Sequence, residues 1–329
     1  MSGVTVSRHE VPNGEGWMLS LRRTVGAEVA HGAGGAPRRP VLIVPGYGMN
    51  SFIFGFHPTG RSLEAHLAWR GFEVWSVDLR AQGRSRPLDG AGDRRFGLAH
   101  LGLVDVPAAL DFVRAHTTTG AAQVDVIGAS LGASIMFITA GVRGAADLGA
   151  LVSFGGPLRW ERVHPALSLA FASPALVGRV PFRGTRALAR VALPLLTRVP
   201  ALLSVYLNTS VTDMSRADEM VETVEDPIPQ VNEEIARWIK SRDLFVRGVN
   251  VTEAAAALPN PLLSVVALND GIVPPETARS AHARSRAAER SLLEVGSPGR
   301  PMAHADLFIS RYAEAEVFEP LAAWLARQP

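Results

Sequence analysis

Ser130 stands in Gly128-Ala129-Ser130-Leu131-Gly132, a G-x-S-x-G run that follows Val124-Asp125-Val126-Ile127 and precedes Ala133-Ser134-Ile135-Met136-Phe137. The β-rich lead-in and the small-residue lead-out predict a sharp strand-to-helix turn with a serine at its tip. Such a turn strains the serine backbone and brings the residues two positions away against other main chain, so glycine is wanted at both. The helix that follows aims free N–H groups and the positive end of its dipole at the same spot. That favours negative charge developing on a bound carbonyl oxygen. The chemistry is attack by a hydroxyl, which requires a base and a group that orients the base.

Two residues are expected to supply them. Asp270 follows the apolar run Leu262–Leu268, in Asn269-Asp270-Gly271-Ile272-Val273. His304 follows the last strand-like stretch, near Ser291–Val295, in Met302-Ala303-His304-Ala305-Asp306. Both fall at carboxyl ends of strands, where the loops of an α/β sheet converge. His57 and His164 are read as core or rim residues, and Asp306 as a cap of the final segment. The second oxyanion donor is expected from the loop after the first parallel strand, Pro45-Gly46-Tyr47-Gly48-Met49-Asn50. Tyr47 N–H is paired with Leu131 N–H, with Met49 N–H in reserve. Gly46, Gly48 and Met49 are expected to meet substrate.

The elements that must hold these residues alternate. Val4–Val6 and Trp17–Leu21 read as strands about the turn Pro12-Asn13-Gly14. After a Gly/Ala/Pro/Arg loop at His31–Pro40, the run to Val44 reads as a strand buried on both faces. Further strands are expected at Phe72–Val77, Gln123–Ile127, Ala150–Phe154, Leu262–Leu268 and Ser291–Val295. Helices are expected at Ser62–Arg70, Asp105–Ala115, Leu131–Val142, Pro275–Ala287 and Ala315–Ala326. This order predicts an α/β domain with a mainly parallel sheet covered on both sides. Its two parts are residues 1–156 and 259–329, and a helical insertion, 157–258, enters after about the sixth strand.

In the insertion, Arg179, Arg183, Arg186 and Arg190 recur every three or four residues and share one helical face, opposite an apolar one. This suits a lid whose apolar side packs over a greasy cleft. Acidic Asp213–Glu225 reads as a solvated face. A second helix, Gln230–Phe245, aligns Val231, Ile235, Trp238 and Phe245. These stripes either only seal the insertion to the core or form an acyl pocket with Trp238 in it, which points to apolar esters of medium or longer chain. A basic amphipathic helix of this kind also fits an anionic lipid surface.

Composition excludes other classes. The 329 residues contain no cysteine, so disulfides, thiolate metal sites and a cysteine nucleophile are ruled out. The formal charge is +2 and Lys240 is the sole lysine; charges are scattered and aromatics few, without a nucleic-acid footprint. No leader-like or membrane-spanning stretch is seen, so a soluble cytoplasmic protein is expected.

Val44-Pro-Gly-Tyr-Gly48, Val77-Asp-Leu-Arg-Ala-Gln-Gly-Arg-Ser85, the Ser130 turn, Asp270 and His304 together resemble an α/β-hydrolase of the esterase/lipase type over nearly the full chain. The stretches around His57-Pro58, Ser62-Leu63-Glu64-Ala65 and Gly71-Phe72-Glu73-Val74-Trp75 resemble acid lipases and polyhydroxyalkanoate synthases; His304-Ala305-Asp306-Leu307-Phe308 is nearer the lipases. Pro45 replaces the histidine common before the loop glycine. Ser130 stands where the synthases use cysteine. The resemblance implies an eight-stranded α/β-hydrolase fold and carboxylic-ester hydrolysis by Ser130, Asp270 and His304, with no cofactor and no metal. An acyltransferase would use the same acyl-serine, and a non-catalytic ligand receptor could use the same fold. The natural ester and the oligomeric state are not specified.

Overall fold

The structure, a computed structural model, describes residues 3–27, 38–89, 95–179 and 183–328. Most of the His31–Pro40 loop, residues 31–37, lies outside them.

Eight strands form the main sheet: β1 Val4–Pro12, β2 Trp17–Gly26, β3 Val41–Val44, β4 Val74–Asp78, β5 Val124–Ala129, β6 Leu148–Phe154, β7 Leu262–Ala267 and β8 Arg290–Val295. Their spatial order is β1-β2-β4-β3-β5-β6-β7-β8, with a two-residue strand, Arg86–Pro87, beside β2. The β1/β2 and β2/β4 pairs are antiparallel; from β4 onward every pair is parallel. β1 is longer than its apolar residues suggest, because it is an exposed edge strand whose polar Ser7–Glu10 section pairs in full with β2.

The central strands read as they do because both faces are buried. Val41 and Ile43 join one core, Leu42 and Val44 the other, and all four are 0% exposed. Each such side chain contributes about 1.5–3 kcal/mol on leaving water. α1 (Leu63–Trp69) covers the first face, with Ser62 accepting from Ala65 N–H as its N-cap. α2 (Val106–His116) and α3 (Leu131–Ile138) cover the second.

Between β6 and β7 the chain is mostly helical. Its longer helices are α4 (Thr185–Leu196) and α5 (Pro229–Ser241). A short hairpin, Phe245–Val246 with Val249–Asn250, follows. α5 stops at Ser241, earlier than the apolar stripe implies, because Arg242 takes φ +63°. Phe245 is therefore off the helix and 58% exposed. The stretch Pro275–Arg284 breaks into two short helices at Arg279, and α6 (Glu319–Leu325) closes the chain against the α1 face.

Candidate active site

Ser130 is the single residue between β5 and α3. Its φ of +54° and ψ of −125° lie where side-chain-bearing residues seldom sit, a strain of roughly 1–3 kcal/mol that the surroundings must hold. Its N–H donates to Phe154 O at 2.9 Å, and Ala133 N–H donates to its carbonyl at 3.0 Å. Both flanking glycines are required by contact. A methyl on Gly128 would stand 2.3 Å from Ala133 Cα, and one on Gly132 would stand 2.2 Å from Val44 O.

The Gly46 loop closes over this turn. A methyl on Gly46 would lie 2.8 Å from Ser130 Cβ and 3.2 Å from Leu131 N. Among the described residues neither Tyr47 N–H nor Leu131 N–H donates to a protein acceptor. The Tyr47 hydroxyl donates to Asn232 Oδ1 of α5 at 2.6 Å, and burial raises its pKa well above the usual phenol range.

The far side of the loop is zipped to the insertion. Glu225 N–H donates to Gly48 O at 2.8 Å, Asn50 N–H donates to Thr223 O at 2.9 Å, and Met49 bridges Val224. Glu225 Oε1 also accepts from Asn50 Nδ2 at 2.5 Å, from Gly83 N–H at 2.8 Å and from Arg186 of α4 at 2.7 Å. Gly48 O and Asn50 N–H are thus spent on the insertion, whereas among the described residues Met49 N–H donates to no protein acceptor.

Asp270 and His304 meet from separate loops. His304 Nδ1 lies 2.5 Å from Asp270 Oδ2, while Asp270 Oδ1 accepts from Ile272 and Val273 N–H at 2.8 Å each. The carboxylate keeps the proton on Nδ1 and leaves Nε2 as an acceptor. Asn269 N–H donates to Met302 O at 3.0 Å, tying the two loops together upstream of the pair.

Serine and imidazole flank the Gly155–Gly156 corner at the end of β6. A methyl on Gly155 would stand 3.6 Å from His304 Cε1, and one on Gly156 would stand 2.4 Å from Ser130 O. Among the described residues the Ser130 hydroxyl makes no hydrogen bond to His304. In ligand-free sites that bond is commonly long and tightens with substrate.

Two openings lie nearby, one reaching the serine turn through Leu131 and one reaching Asp270; Ser130 and His304 line neither. The first, lined by Gly46, Tyr47, Leu131, Ile135, Ile228 and Val231, encloses about 30 Å³, enough for about one water. The other, about 400 Å³, lies behind Asp270, with Arg162, His164, Pro274, Glu276 and Arg279 on its walls.

Trp238 lines neither opening. It is buried edge-on against Trp160 at 5.7 Å, and its Nε1–H donates to Arg242 O at 3.0 Å. It seals the insertion to the core and caps its own helix. The apolar side of α4 does not pack over a cleft: Leu188, Val191 and Leu195 are exposed, while Arg186 and Arg190 pair with Glu222 and Glu225. Those two arginines and the end of the acidic stretch, which was read as a solvated face, are each other's partners.

His57 is structural: its Nδ1 accepts from Gly60 N–H at 2.6 Å, and its Nε2 donates to Ser310 O at 3.0 Å. His164 caps the helix Pro165–Ala170 at the rim of the larger opening. Sequence reading missed Asn50, Glu225 and the reach of Asp306, because their partners lie 39 to 175 residues away in the chain.

A family model described as alpha/beta hydrolase fold matches residues 39–302, most of the chain. The chain belongs to the α/β-hydrolase family. Over 143 residues, 41% of this chain, it is 29% identical to Lipase 3 of Drosophila melanogaster. Over 151 residues, 44% of this chain, it is 29% identical to Triacylglycerol lipase 2 of Arabidopsis thaliana. These matches span about a third, 35%, of each relative. Solved α/β-hydrolases share the fold across nearly the whole chain. Esterase RhEst1 from Rhodococcus superposes with a TM-score of 0.61 at 16% identity, covering 98% of this chain and 100% of that one. The enol-lactonase from Burkholderia xenovorans gives 0.59 at 16%, again covering 98% and 100%. Among the described residues no helix is long and apolar enough to cross a membrane.

Proposed function

We propose that this α/β-hydrolase is a serine carboxylic-ester hydrolase, an esterase or lipase, acting on esters with apolar acyl groups through an acyl-Ser130 intermediate. The observation that carries the reading is the Asp270–His304 bond at 2.5 Å beside the strained Ser130 turn. His304 Nε2 takes the hydroxyl proton as Ser130 Oγ attacks the ester carbonyl. The Tyr47 and Leu131 N–H groups, uncommitted to protein acceptors, hold the oxyanion. The imidazolium returns its proton to the leaving alcohol, and Asp270 steadies it meanwhile. Water, deprotonated by His304, then attacks the acyl-serine, releases the acid and restores Ser130. The lipase names of the two partial relatives agree with this reading.

Residues 157–258 act as a cap over a core made of 1–156 and 259–329. The cleft at Gly46 and Leu131 is far below the 300 Å³ or so of a typical ligand site. The cleft at Gly46 and Leu131 therefore admits an acyl chain only when the cap strip carrying Ile228 and Val231 yields. The test is a chain-length series of p-nitrophenyl esters, run beside Ser130→Ala. Wild-type turnover that rises from acetate toward butyrate and hexanoate and vanishes in the variant supports the reading. Turnover surviving in the variant refutes it, and mostly transfer product in the presence of added alcohol would make the chain an acyltransferase.

The outward face of α4 gives the cap a second role, contact with an anionic lipid surface. Leu188, Val191 and Leu195 are exposed there, and Leu169, Leu176 and Leu202 of the neighbouring short helices are exposed as well. Residues 164–206 contain five arginines and no acidic residue. Sedimentation with phosphatidylglycerol vesicles but not with phosphatidylcholine ones, lost in Leu188→Glu/Val191→Glu, is the expected result. Equal behaviour with both, or self-association without lipid, refutes it.

A further inference from the structure

Two residues beyond His304 a carboxylate is completely buried. Asp306 is 0% exposed, and among the described residues no arginine or lysine pairs with it. It is held instead by three donors. Oδ2 accepts from Ala303 N–H at 2.8 Å and from Asn208 N–H at 2.9 Å; Oδ1 accepts from Thr212 Oγ1 at 2.6 Å. Ala303 precedes His304, whereas Asn208 and Thr212 belong to the 157–258 insertion. One carboxylate therefore ties the imidazole loop to the cap.

The same cap segment touches every part of that loop. Ala305 N–H donates to Tyr206 O at 2.8 Å, Arg311 N–H to Val211 O at 2.9 Å, and Thr212 bridges Ser310. Gly271 N–H, in the Asp270 loop, donates to Val205 O at 3.0 Å. The Tyr206 ring lies 6.2 Å from the His304 ring. A neutral side chain could fill this space without the cost of burying a charge. The charge has a use if it keeps three donors converging beside the base.

Resting on the ester-hydrolase reading, we infer that Asp306 is a positioning residue for His304 and makes the placement of the imidazole depend on the seating of the cap. Burial, with a contribution from the Asp270 charge, pushes the Asp306 carboxyl up to about 6. The titratable groups around it are Asp270, His304 and the Tyr206 phenol. Two backbone N–H groups occupy Oδ2 and cannot reverse. A proton therefore settles on Oδ1 and turns the Thr212 hydrogen bond around. Below about pH 6 the clamp loses its charge while its atoms stay in place.

The test uses Asp306→Asn and Thr212→Val in the full chain, both checked for native circular dichroism. Asp306→Asn should lower kcat by about tenfold to a hundredfold with KM within threefold, the size of losing hydrogen bonds to a buried charge. Its acidic limb of kcat/KM should fall less steeply than the wild-type limb, because one ionisation has gone. Thr212→Val, which cuts only the cap-side bond, should move kcat in the same direction by less. If Asp306→Asn fails to fold, Thr212→Val decides alone: wild-type kcat and pH profile in it overturn the proposal. So do an unchanged kcat and superimposable pH profile in a folded Asp306→Asn.

A readout independent of turnover separates the two claims. The downfield Nδ1 proton of His304, which the short bond to Asp270 should produce, should broaden or vanish in both variants. If it is unchanged in both, the positioning role is wrong even where esters are hydrolysed. If it changes while the wild type hydrolyses no ester, the positioning role stands and the hydrolase reading falls.

Discussion

Asp270 faces His304 with one oxygen, at 2.5 Å, and gives the other to the N–H groups of Ile272 and Val273. A carboxylate so occupied cannot rotate, and its charge is matched by donors on both sides. Asp270→Asn is the informative variant, because the amide retains the shape but places the imidazole proton on the wrong nitrogen. A loss of about ten-thousand-fold in kcat is expected, with the fold intact. Steady-state kinetics beside a thermal melt checks it.

The glycines of the turn make a stability prediction. A methyl at Gly132 would meet Val44 O, a main-chain atom that cannot step aside. Gly132→Ala should therefore cost about 1–3 kcal/mol or more, read as a lower urea midpoint. Gly299→Ala, where a methyl meets nothing within 4 Å, should leave the midpoint within error.

Glu225 joins Asn50, Gly83 and Arg186 on one oxygen. Glu225→Ala should release the Gly46–Asn50 loop and lower kcat about tenfold, with KM nearly unchanged, as when donors to the transition state lose their aim. Glu225→Gln retains an acceptor oxygen and should recover part of the loss. Equal kcat in all three proteins would mean that the strip does not govern the loop.

His57 sets a pH dependence of stability. Burial lowers its pKa below the ordinary 6.5, and its Nδ1 is already an acceptor for Gly60 N–H. The unfolded chain then binds the proton more readily than the folded one, so stability is full above about pH 6.5 and is lost as pH falls below it. Melting temperatures between pH 7.5 and 5.5 should show this slope, and His57→Gln should flatten it from a lower starting value. A wild-type melting temperature constant over that range would contradict the assignment.

The central strands were legible because continuous apolar runs such as Val41–Val44 have one physical explanation, burial on both faces. The Ser130 turn was legible for the same local reason: its neighbours had to be glycine. Long-range polar pairing left no such mark. Arg186 and Arg190 gave a clean helical face, yet which way it turned depended on Glu222 and Glu225, 32 to 39 residues on. Trp238 fell on a real stripe, and only the position of Trp160 decided that the stripe seals rather than lines. Asp306 looked like a local cap because the sequence gives no sign of Asn208 and Thr212 beneath it.

The stitching of Val205–Thr212 to the Asp270 and His304 loops, and of Thr223–Glu225 to the Gly46 loop, bears on how this protein can be re-engineered. Transplanting the whole 157–258 segment from another family member would disturb all three loops at once. The described residues of the outer stretch 165–202 reach these stitches through the Phe171 ring on Tyr47, Thr185 N–H to Asp226, Arg186 to Val224 O and Glu225, and Arg190 to Glu222. Modular exchange should begin there, with those contacts retained.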